Sequence, residues 1–241
     1  MAANSEMLSR GAVGAPPSIE PSHEAVLRAV QPAQDAAALC DVARLFYDRG
    51  WSVGTSSNYS AVQSRDPLRL LITASGKDKR QLATGEFVLV DDGGRAVETT
   101  VNRPSAETLL HVVVAQELPH VGAVLHTHSV WSTILSDLHH ADGGLAIEGY
   151  EMLKGLEGVV THEHRQWVEI FENTQDIPSL AEVVRARLRD PRDPLRHGFL
   201  LRGHGLYTWG RTLAEARRHV EIFEFLFEVL ARRASYAAAL R

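Results

Sequence analysis

Helix-like and strand-like segments alternate along most of this chain, and this alternation constrains its fold more than any other feature. Apolar residues that recur every three or four positions predict helices, and short apolar or β-branched runs between them predict strands. The expected helices are 35–49, 105–118, 129–138, 179–188 and 212–238, and the expected strands are 59–62, 68–73, 87–91, 121–128, 167–171 and 198–201. This order predicts a sheet covered by helices, in which the first three strands form a β-meander.

Residues 1–32 differ from the rest of the chain. They are rich in Ala, Ser, Gly and Pro and show no sustained apolar period, which is typical of a flexible leader. Residues 33–241 contain no internal repeat and no second shift in composition, so we expect them to form a single domain. Within it, Thr212 is suited to cap the last helix, and Cys40 lies on the first helix as a small packing residue.

Charge and cysteine content restrict the possible partners and sites. The chain has 25 basic and 30 acidic residues, and a net charge of -5 does not attract nucleic acid or an anionic membrane, so we expect neither as a partner. No apolar run approaches the ~18 residues of a membrane span, and the first residues lack a secretory pattern. A single cysteine excludes a disulfide framework within one chain and fits the reducing cytoplasm. With thiolate clusters excluded, the twelve histidines and the carboxylates are the side chains left to bind a metal ion.

Two histidines follow an apolar predicted strand. His126 and His128 lie two positions apart, so in a strand they share a face at a separation of about 6.6 Å. Two imidazoles at that spacing can converge on one ion with bonds of about 2.0–2.1 Å. The spacing alone fits two partly buried histidines bonded to the backbone equally well. His162 and His164 have the same spacing in a polar context, and we interpret that pair as surface.

A third histidine, His204, lies between Gly203 and Gly205 at the end of another apolar strand. Flanking glycines predict a close approach of backbone around a functional side chain. Alone, His204 would be typical of a turn; with His126 and His128 it completes a three-imidazole set with an open position, the pattern of catalytic zinc. We assign no functional role to His111, His139, His140, His197 and His219.

Three polar turns, at 54–58, 73–77 and 104–107, combine hydroxyls with backbone N–H groups and could hold a phosphate. Each turn taken singly is also typical of a solvated loop. Glu107 and Glu151 are candidates for proton transfer, although the pattern alone identifies neither.

Four motifs carry a resemblance to a known family: residues 72–79, 103–111, 123–129 and 201–210. From about residue 35 to 232 the chain resembles the class II aldolase and adducin-like superfamily, and the last motif resembles its dehydratase branch. The resemblance implies an α/β fold, a three-layer α/β/α sandwich with a mostly antiparallel central sheet. It also implies a homotetramer with active sites at subunit interfaces.

The same resemblance implies the site. One Zn²⁺ per subunit would be bound by His126, His128 and His204, and the phosphate of a small sugar-phosphate substrate by Asn58, Ser75, Gly76 and Ser105. Glu151 matches the acid/base residue of the dehydratase branch. Glu107 matches a position that the aldolases use as base or fourth ligand and at which animal dehydratases differ.

The implied reaction is the loss of water from a thioether-bearing ketose phosphate in methionine salvage. Two alternatives remain open at this point: a zinc-dependent sugar-phosphate aldolase, and a non-catalytic interaction module like the adducin head. The chain departs from many relatives in the first phosphate turn, where Ser56 and Ser57 stand in place of glycines, and at Arg103, where lysine is common.

Overall fold

An eight-stranded sheet lies between two layers of helices in the computed structural model, which describes residues 23–192 and 195–240, with side chains from residue 32 onward. The helices are α1 (His23–Asp48), α2 (Thr108–Glu117), α3 (Val130–Leu138), α4 (Ile177–Leu188) and α5 (Leu213–Ala239). The strands are β1 (Asn58–Arg65), β2 (Leu68–Thr73), β3 (Phe87–Val90), β4 (Ala123–Thr127), β5 (Gly144–Ile147), β6 (Gln166–Phe171), β7 (Gly198–Leu201) and β8 (Gly205–Gly210).

The strands lie in the order β3-β2-β1-β4-β8-β7-β6-β5. Every neighbouring pair is antiparallel except β6 and β7, which are parallel. The predicted meander of the first three strands is confirmed, and so is the mostly antiparallel sheet. β4 lies between β1 and β8, so the strand that carries two of the three candidate histidines occupies the middle of the sheet.

Side chains of β4 alternate between the two faces of the sheet, as the period of a strand requires. Val124 packs with the buried residues of α2 and α4, and Leu125 packs with those of α1 and α5. Because a strand that is apolar on both faces has to be covered on both, helices are needed on each side. The predicted three-layer α/β/α sandwich is confirmed.

Two strands, β5 and β8, were not predicted. All six residues of β8 are buried, and they pair with β4 on one side and β7 on the other. Gly205 and Gly210 bound this strand and favour a turn when the sequence is considered locally. The strand forms because β4, distant in the chain, and β7, joined to it by a tight turn, satisfy its backbone on its two sides.

Helix boundaries also differ from the expectations. α1 begins at His23 instead of residue 35 and contains Pro32. Residues 23–32 of the predicted leader therefore belong to this helix, and residues 1–22 lie outside the described residues. α2 begins at Thr108 instead of residue 105, which leaves Ser105 and Glu107 in the turn before it. The predicted cap at Thr212 is confirmed, because its side chain accepts a hydrogen bond from the Glu215 amide.

None of the helices in the described part of the chain combines the length and the apolar character needed to cross a lipid bilayer.

Candidate metal centre

Three imidazoles meet at one end of the central strands. His126 lies in β4, His128 follows it directly, and His204 lies in the turn between β7 and β8. The Nε2 atom of His126 is 2.7 Å from that of His128 and 3.3 Å from that of His204, and the Nε2 atoms of His128 and His204 are 3.1 Å apart. The structure thus brings together the three side chains that sequence spacing selected.

The pairing of β4 with β8 creates this convergence, with His126 opposite Tyr207 in the register. Gly205 makes the close approach possible, since a Cβ there would lie 2.0 Å from the carbonyl oxygen of Thr127. Gly203, with a φ of 58°, provides the left-handed residue that turns the chain toward His204. The expected tight backbone approach around His204 is confirmed at Gly205.

The three rings fit a bound cation. His126 Nδ1 donates to the Leu206 carbonyl at 2.9 Å, and His204 Nδ1 lies 3.3 Å from the amide oxygen of Asn173, so both rings direct the lone pair of Nε2 at the centre. Burial lowers the pKa of His126 well below its usual range and that of His128 to about 3, which keeps the rings neutral. A tetrahedral zinc ion separates its nitrogen ligands by about 3.3 Å, close to two of the three distances.

A carboxylate lies beside the three rings. Glu107 Oε1 is 3.3 Å from His204 Nε2, and Glu107 Oε2 is 3.5 Å from His126 Nε2. The turn before α2 places Glu107 there, and its side chain is mostly buried. Two glutamates were considered for proton transfer, and Glu107 is the one that lies beside the histidines in this structure.

Asn58 and Ser105 adjoin the same carboxylate. Asn58 begins β1, opposite His126, and its Nδ2 donates to Glu107 Oε2 at 2.7 Å and to Ser105 Oγ at 3.1 Å. The turn after β2 reaches the same region, because the amide of Ser75 donates to the Arg103 carbonyl at 2.8 Å. The turns predicted to hold a phosphate therefore lie together beside the histidines.

Comparisons with known proteins place this arrangement in a family. Residues 37–231 match the family model of the class II aldolase and adducin N-terminal domain. The chain belongs to this family. It is 53% identical over 193 residues, 80% of this chain and 90% of the other, to the methylthioribulose-1-phosphate dehydratase of Marinobacter nauticus. It is 48% identical over 190 residues, 79% of this chain and 90% of the other, to the dehydratase of the same name from Pseudomonas savastanoi.

Solved structures of class II aldolase relatives share the fold at low sequence identity. YgbL of Escherichia coli, a putative aldolase/epimerase/decarboxylase, superposes with a TM-score of 0.69 at 23% identity, covering 83% of this chain and 89% of that one. An L-fuculose 1-phosphate aldolase superposes with a TM-score of 0.68 at 21% identity, covering 83% and 86%.

Glu151, which the family resemblance implied as acid/base, lies elsewhere in the chain. It begins the 3₁₀ helix Glu151–Gly155, and its side chain is 70% exposed. Its described ionic partners are Lys154 and His162, and the hydrogen bond from Lys154 lowers the pKa of its carboxyl. Among the contacts of the described residues, none joins Glu151 to the three histidines.

Two functional neighbours were missed at the sequence level. His111, to which we assigned no role, is fully buried, and its ring bonds to Ser60 and Asn58. No local pattern linked it to the site, because its partners Ser60 and Asn58 lie on β1. Glu224 on α5 is also buried, and its Oε1 accepts from Thr127 Oγ1 at 3.1 Å behind the histidines. No short-range pattern identifies that residue.

Proposed function

We propose that this chain is a zinc-dependent methylthioribulose-1-phosphate dehydratase, a hydro-lyase of methionine salvage. It would convert 5-methylthioribulose 1-phosphate to 5-methylthio-2,3-diketopentyl 1-phosphate and water. The observation that carries the proposal is the convergence of three imidazole Nε2 atoms and the Glu107 carboxylate in a chain 53% identical to a dehydratase. The catalytic unit of the proposal is residues 33–241.

His126, His128 and His204 would hold one zinc ion per subunit. Their ring nitrogens lie within 4.8 Å of one another, and class II aldolases, to which the chain is related, are zinc-dependent. When bound, zinc supplies a Lewis acid that polarises the C2 carbonyl of the substrate and acidifies the proton on C3. Three protein ligands leave a coordination position for that carbonyl.

Glu107 is positioned to take the C3 proton. Its carboxylate lies 3.3–3.5 Å from two of the three histidine nitrogens. A carboxylate alone is too weak a base for an ordinary C–H bond, so it has to act on the acidified C3. Loss of this proton and of the C4 hydroxyl leaves an enol, which tautomerises to the 2,3-diketone.

The phosphate of the substrate is assigned to the adjoining turns, through Ser75, Gly76 and Ser105. Gly76 has a φ of 71°, a conformation that turns the backbone N–H groups of such loops outward. Ser105 lies in the turn that leads into α2, where the N-terminus of the helix favours an anion. Asn58, expected in the same group, directs its amide at Glu107 and Ser105. Phosphate held here orients C2 and C3 at the histidines.

Glu151 is proposed to come from a neighbouring subunit of a cytoplasmic homotetramer. It is exposed in its own subunit, and the family resemblance implies active sites at subunit interfaces. Placed over the substrate of the adjacent chain, its carboxyl would donate a proton to the departing C4 hydroxyl, so that water leaves in place of hydroxide.

The decisive experiment supplies the zinc-loaded protein with 5-methylthioribulose 1-phosphate. Ultraviolet absorbance reports the diketone, and a coupled assay reports dihydroxyacetone phosphate. We expect the diketone and no dihydroxyacetone phosphate. Dihydroxyacetone phosphate as the main product would make the protein an aldolase, and zinc-loaded protein that forms neither product would overturn the enzymatic proposal.

The ligand assignment is tested separately by His126→Ala. This variant is expected to lose both zinc and diketone formation, because removal of a central ligand leaves two imidazoles. Atomic absorption measures the metal. A variant that still holds one zinc ion per chain would refute the assignment.

A further inference from the structure

His204 occupies the last position of a tight turn between β7 and β8. The amide of His204 donates to the Leu201 carbonyl at 3.1 Å, which closes the turn over residues 201–204. A turn closed in this way leaves the amide of its third residue, here Gly203, without a partner inside the turn. The position of His204 therefore depends on what the turn contacts outside itself.

Helix α3 supplies those contacts through two hydroxyl groups. Ser136 Oγ accepts from the Gly203 amide at 3.0 Å, and its own hydrogen is donated to the Thr133 carbonyl at 3.0 Å. Thr133 Oγ1 shares its hydrogen between the carbonyl oxygens of His204 at 2.9 Å and Ser129 at 2.8 Å. Because residues three positions apart lie on one face of a helix, both hydroxyls reach the same turn.

The same helix is joined to the other end of the histidine centre. Ser129, whose side chain caps α3, directly follows His128 in the chain. Leu135 packs in one buried cluster with Leu200 of β7 and Leu206 of β8, so α3 lies against the two strands that the turn connects. The helix thus begins next to one histidine and contacts the turn of another about two helical turns later.

The ring of His204 is held less firmly than the turn that carries it. Its Nδ1 contacts Asn173 Oδ1 at 3.3 Å, and this contact is exposed. Ser136, in contrast, is fully buried. Removal of its hydroxyl would leave the Gly203 amide without its described acceptor, and an amide in that position favours any shift of the turn that finds another partner.

We infer that Ser136, together with Thr133, is a positioning residue that holds the turn of His204 against His126 and His128. The inference rests on the proposed function only for the three histidines as zinc ligands. Neither hydroxyl has a described bond to a ring nitrogen of the centre, so both act on the ion through the backbone of the turn.

The test compares Ser136→Ala with Ser132→Ala. Both serines are fully buried on α3, and within the described residues the Ser132 hydroxyl bonds to Ser129 alone. Zinc affinity is measured by competition with a chelator, and urea denaturation of the metal-free proteins measures the stability that each substitution costs. We expect Ser136→Ala to bind zinc at least about tenfold more weakly than the wild type, and Ser132→Ala to stay within about twofold.

A second pair of variants, Thr133→Val and Thr133→Ser, keeps the inference testable should Ser136→Ala fail to fold. Valine preserves the branched shape of threonine without the hydroxyl, whereas serine preserves the hydroxyl. We expect zinc binding about three- to tenfold weaker in Thr133→Val and close to the wild-type value in Thr133→Ser. A loss of stability without a loss of zinc affinity would show that the hydroxyl is merely structural.

Amide hydrogen exchange tests the bond to the turn directly. The Gly203 amide should exchange slowly in the wild type and faster in Ser136→Ala. Fast exchange in the wild type would refute the bond, and equal weakening of zinc binding by Ser136→Ala and Ser132→Ala would overturn the inference.

These outcomes are distinct from a failure of the proposed function. Zinc-loaded wild-type protein that forms no diketone would overturn the proposed function alone, and the zinc affinities would still decide on the two hydroxyls. Wild-type protein that binds no zinc would refute both.

Discussion

Ser57, in the turn before β1, has a φ of 71° and is the one non-glycine residue with positive φ in the described part of the chain. A left-handed conformation costs an L-residue with a Cβ about 1–2 kcal/mol, and glycine adopts it freely at an entropic cost of about 0.5–1 kcal/mol. The left-handed backbone at this position therefore favours glycine over serine.

We predict that Ser57→Gly raises the free energy of unfolding by up to about 1 kcal/mol, measured by urea denaturation, because relief of the left-handed backbone outweighs the loss of the long hydrogen bond from Ser57 Oγ to the Trp51 carbonyl at 3.5 Å. The control is Ser56→Gly. Ser56 has no positive φ, and its hydroxyl donates to the Val53 carbonyl at 2.7 Å, so this variant should lose stability. Equal effects of the two substitutions would contradict the explanation.

Glu224 makes the stability of the metal-free protein depend on pH. Burial raises the pKa of its carboxyl to about 7, above the value of 4.5 that it has in an unfolded chain. Between these values the folded state keeps the Glu224 proton that the unfolded state has lost, so the contribution of this carboxyl to stability is complete below pH 4.5 and is lost as the pH rises through 7. The buried histidines, whose pKa values are lowered, contribute in the opposite direction. A shift of this size corresponds to about 3 kcal/mol.

The test is the free energy of unfolding from pH 4.5 to 8 in the wild type and Glu224→Gln. The difference in the free energy of unfolding between the two proteins should fall by about 3 kcal/mol over this range, since glutamine has no proton to lose and the buried histidines contribute equally to both. Glu221→Gln, one helical turn earlier on α5, provides the control, because Glu221 is partly exposed and pairs with Arg217. A difference between wild type and Glu224→Gln that does not change with pH would assign the effect to another group.

At the level of single residues, the sequence pattern identified side chains that lie at the end of a strand or in a turn bounded by glycines. His126, His128 and His204 were found from spacing and flanking residues. His111 and Asn58 were not linked, because the bond between them joins α2 to β1 across the core and leaves no local pattern. For Glu151 the difference runs the other way: the family resemblance implied an acid/base role, but the described contacts of Glu151 do not include the three histidines.

Among the elements, β8 connects the fold to the site. It lies beside β4 so closely that a Cβ at Gly205 would be 2.0 Å from the Thr127 carbonyl and 3.2 Å from the ring of His126. That contact involves backbone, which cannot rotate away as a side chain can. The spacing of the two strands, and with it the distance between His126 and His204, depends on the absence of one methyl group.

We predict that Gly205→Ala lowers the free energy of unfolding by at least about 3 kcal/mol, because the strands must separate to admit the Cβ. It should also weaken zinc binding, measured by competition with a chelator. Gly203→Ala is the control. A Cβ there meets nothing within 4 Å, and only the φ of 58° opposes it, so the expected loss is about 1 kcal/mol. Equal losses would show that steric contact with Thr127 is unimportant.

Helices and strands were predicted correctly where a single apolar pattern extends over the whole element. Strands β2 and β7 have the expected boundaries, and α5 differs by one residue at each end. β5 and β8 were missed because glycines at their starts signal turns, while β5 pairs with the next strand β6, and β8 lies between its hairpin partner β7 and the distant strand β4. The pairing of β8 with β4 cannot be detected in a window of neighbouring residues.

For the whole molecule, the proposed interface site makes a prediction about mixed oligomers. His126→Ala and Glu151→Gln should each be inactive alone. Suppose that each site takes its histidines from one subunit and Glu151 from another. Random assembly of the two co-expressed variants then leaves about one quarter of the sites with both intact, and the mixture should have about one quarter of the wild-type activity. Glu107→Gln mixed with His126→Ala is the control and should stay inactive, because both residues belong to the same subunit's site.

Activity is measured on the mixed oligomer after purification by two different affinity tags. An inactive mixture of His126→Ala with Glu151→Gln would place Glu151 in the site of its own chain or outside catalysis. Restoration in the Glu107→Gln control would instead mean that chains exchange segments.

The separation of 78 positions between His126 and His204 has a consequence for biosynthesis. While a ribosome is still adding the residues between them, the emerging polypeptide offers only two imidazoles, on a strand that lacks its eventual neighbour β8. If the three histidines hold the proposed ion, they can do so together only after His204 has been synthesised and β8 has paired with β4. Binding of the ion would then report that both strands of the centre are in place.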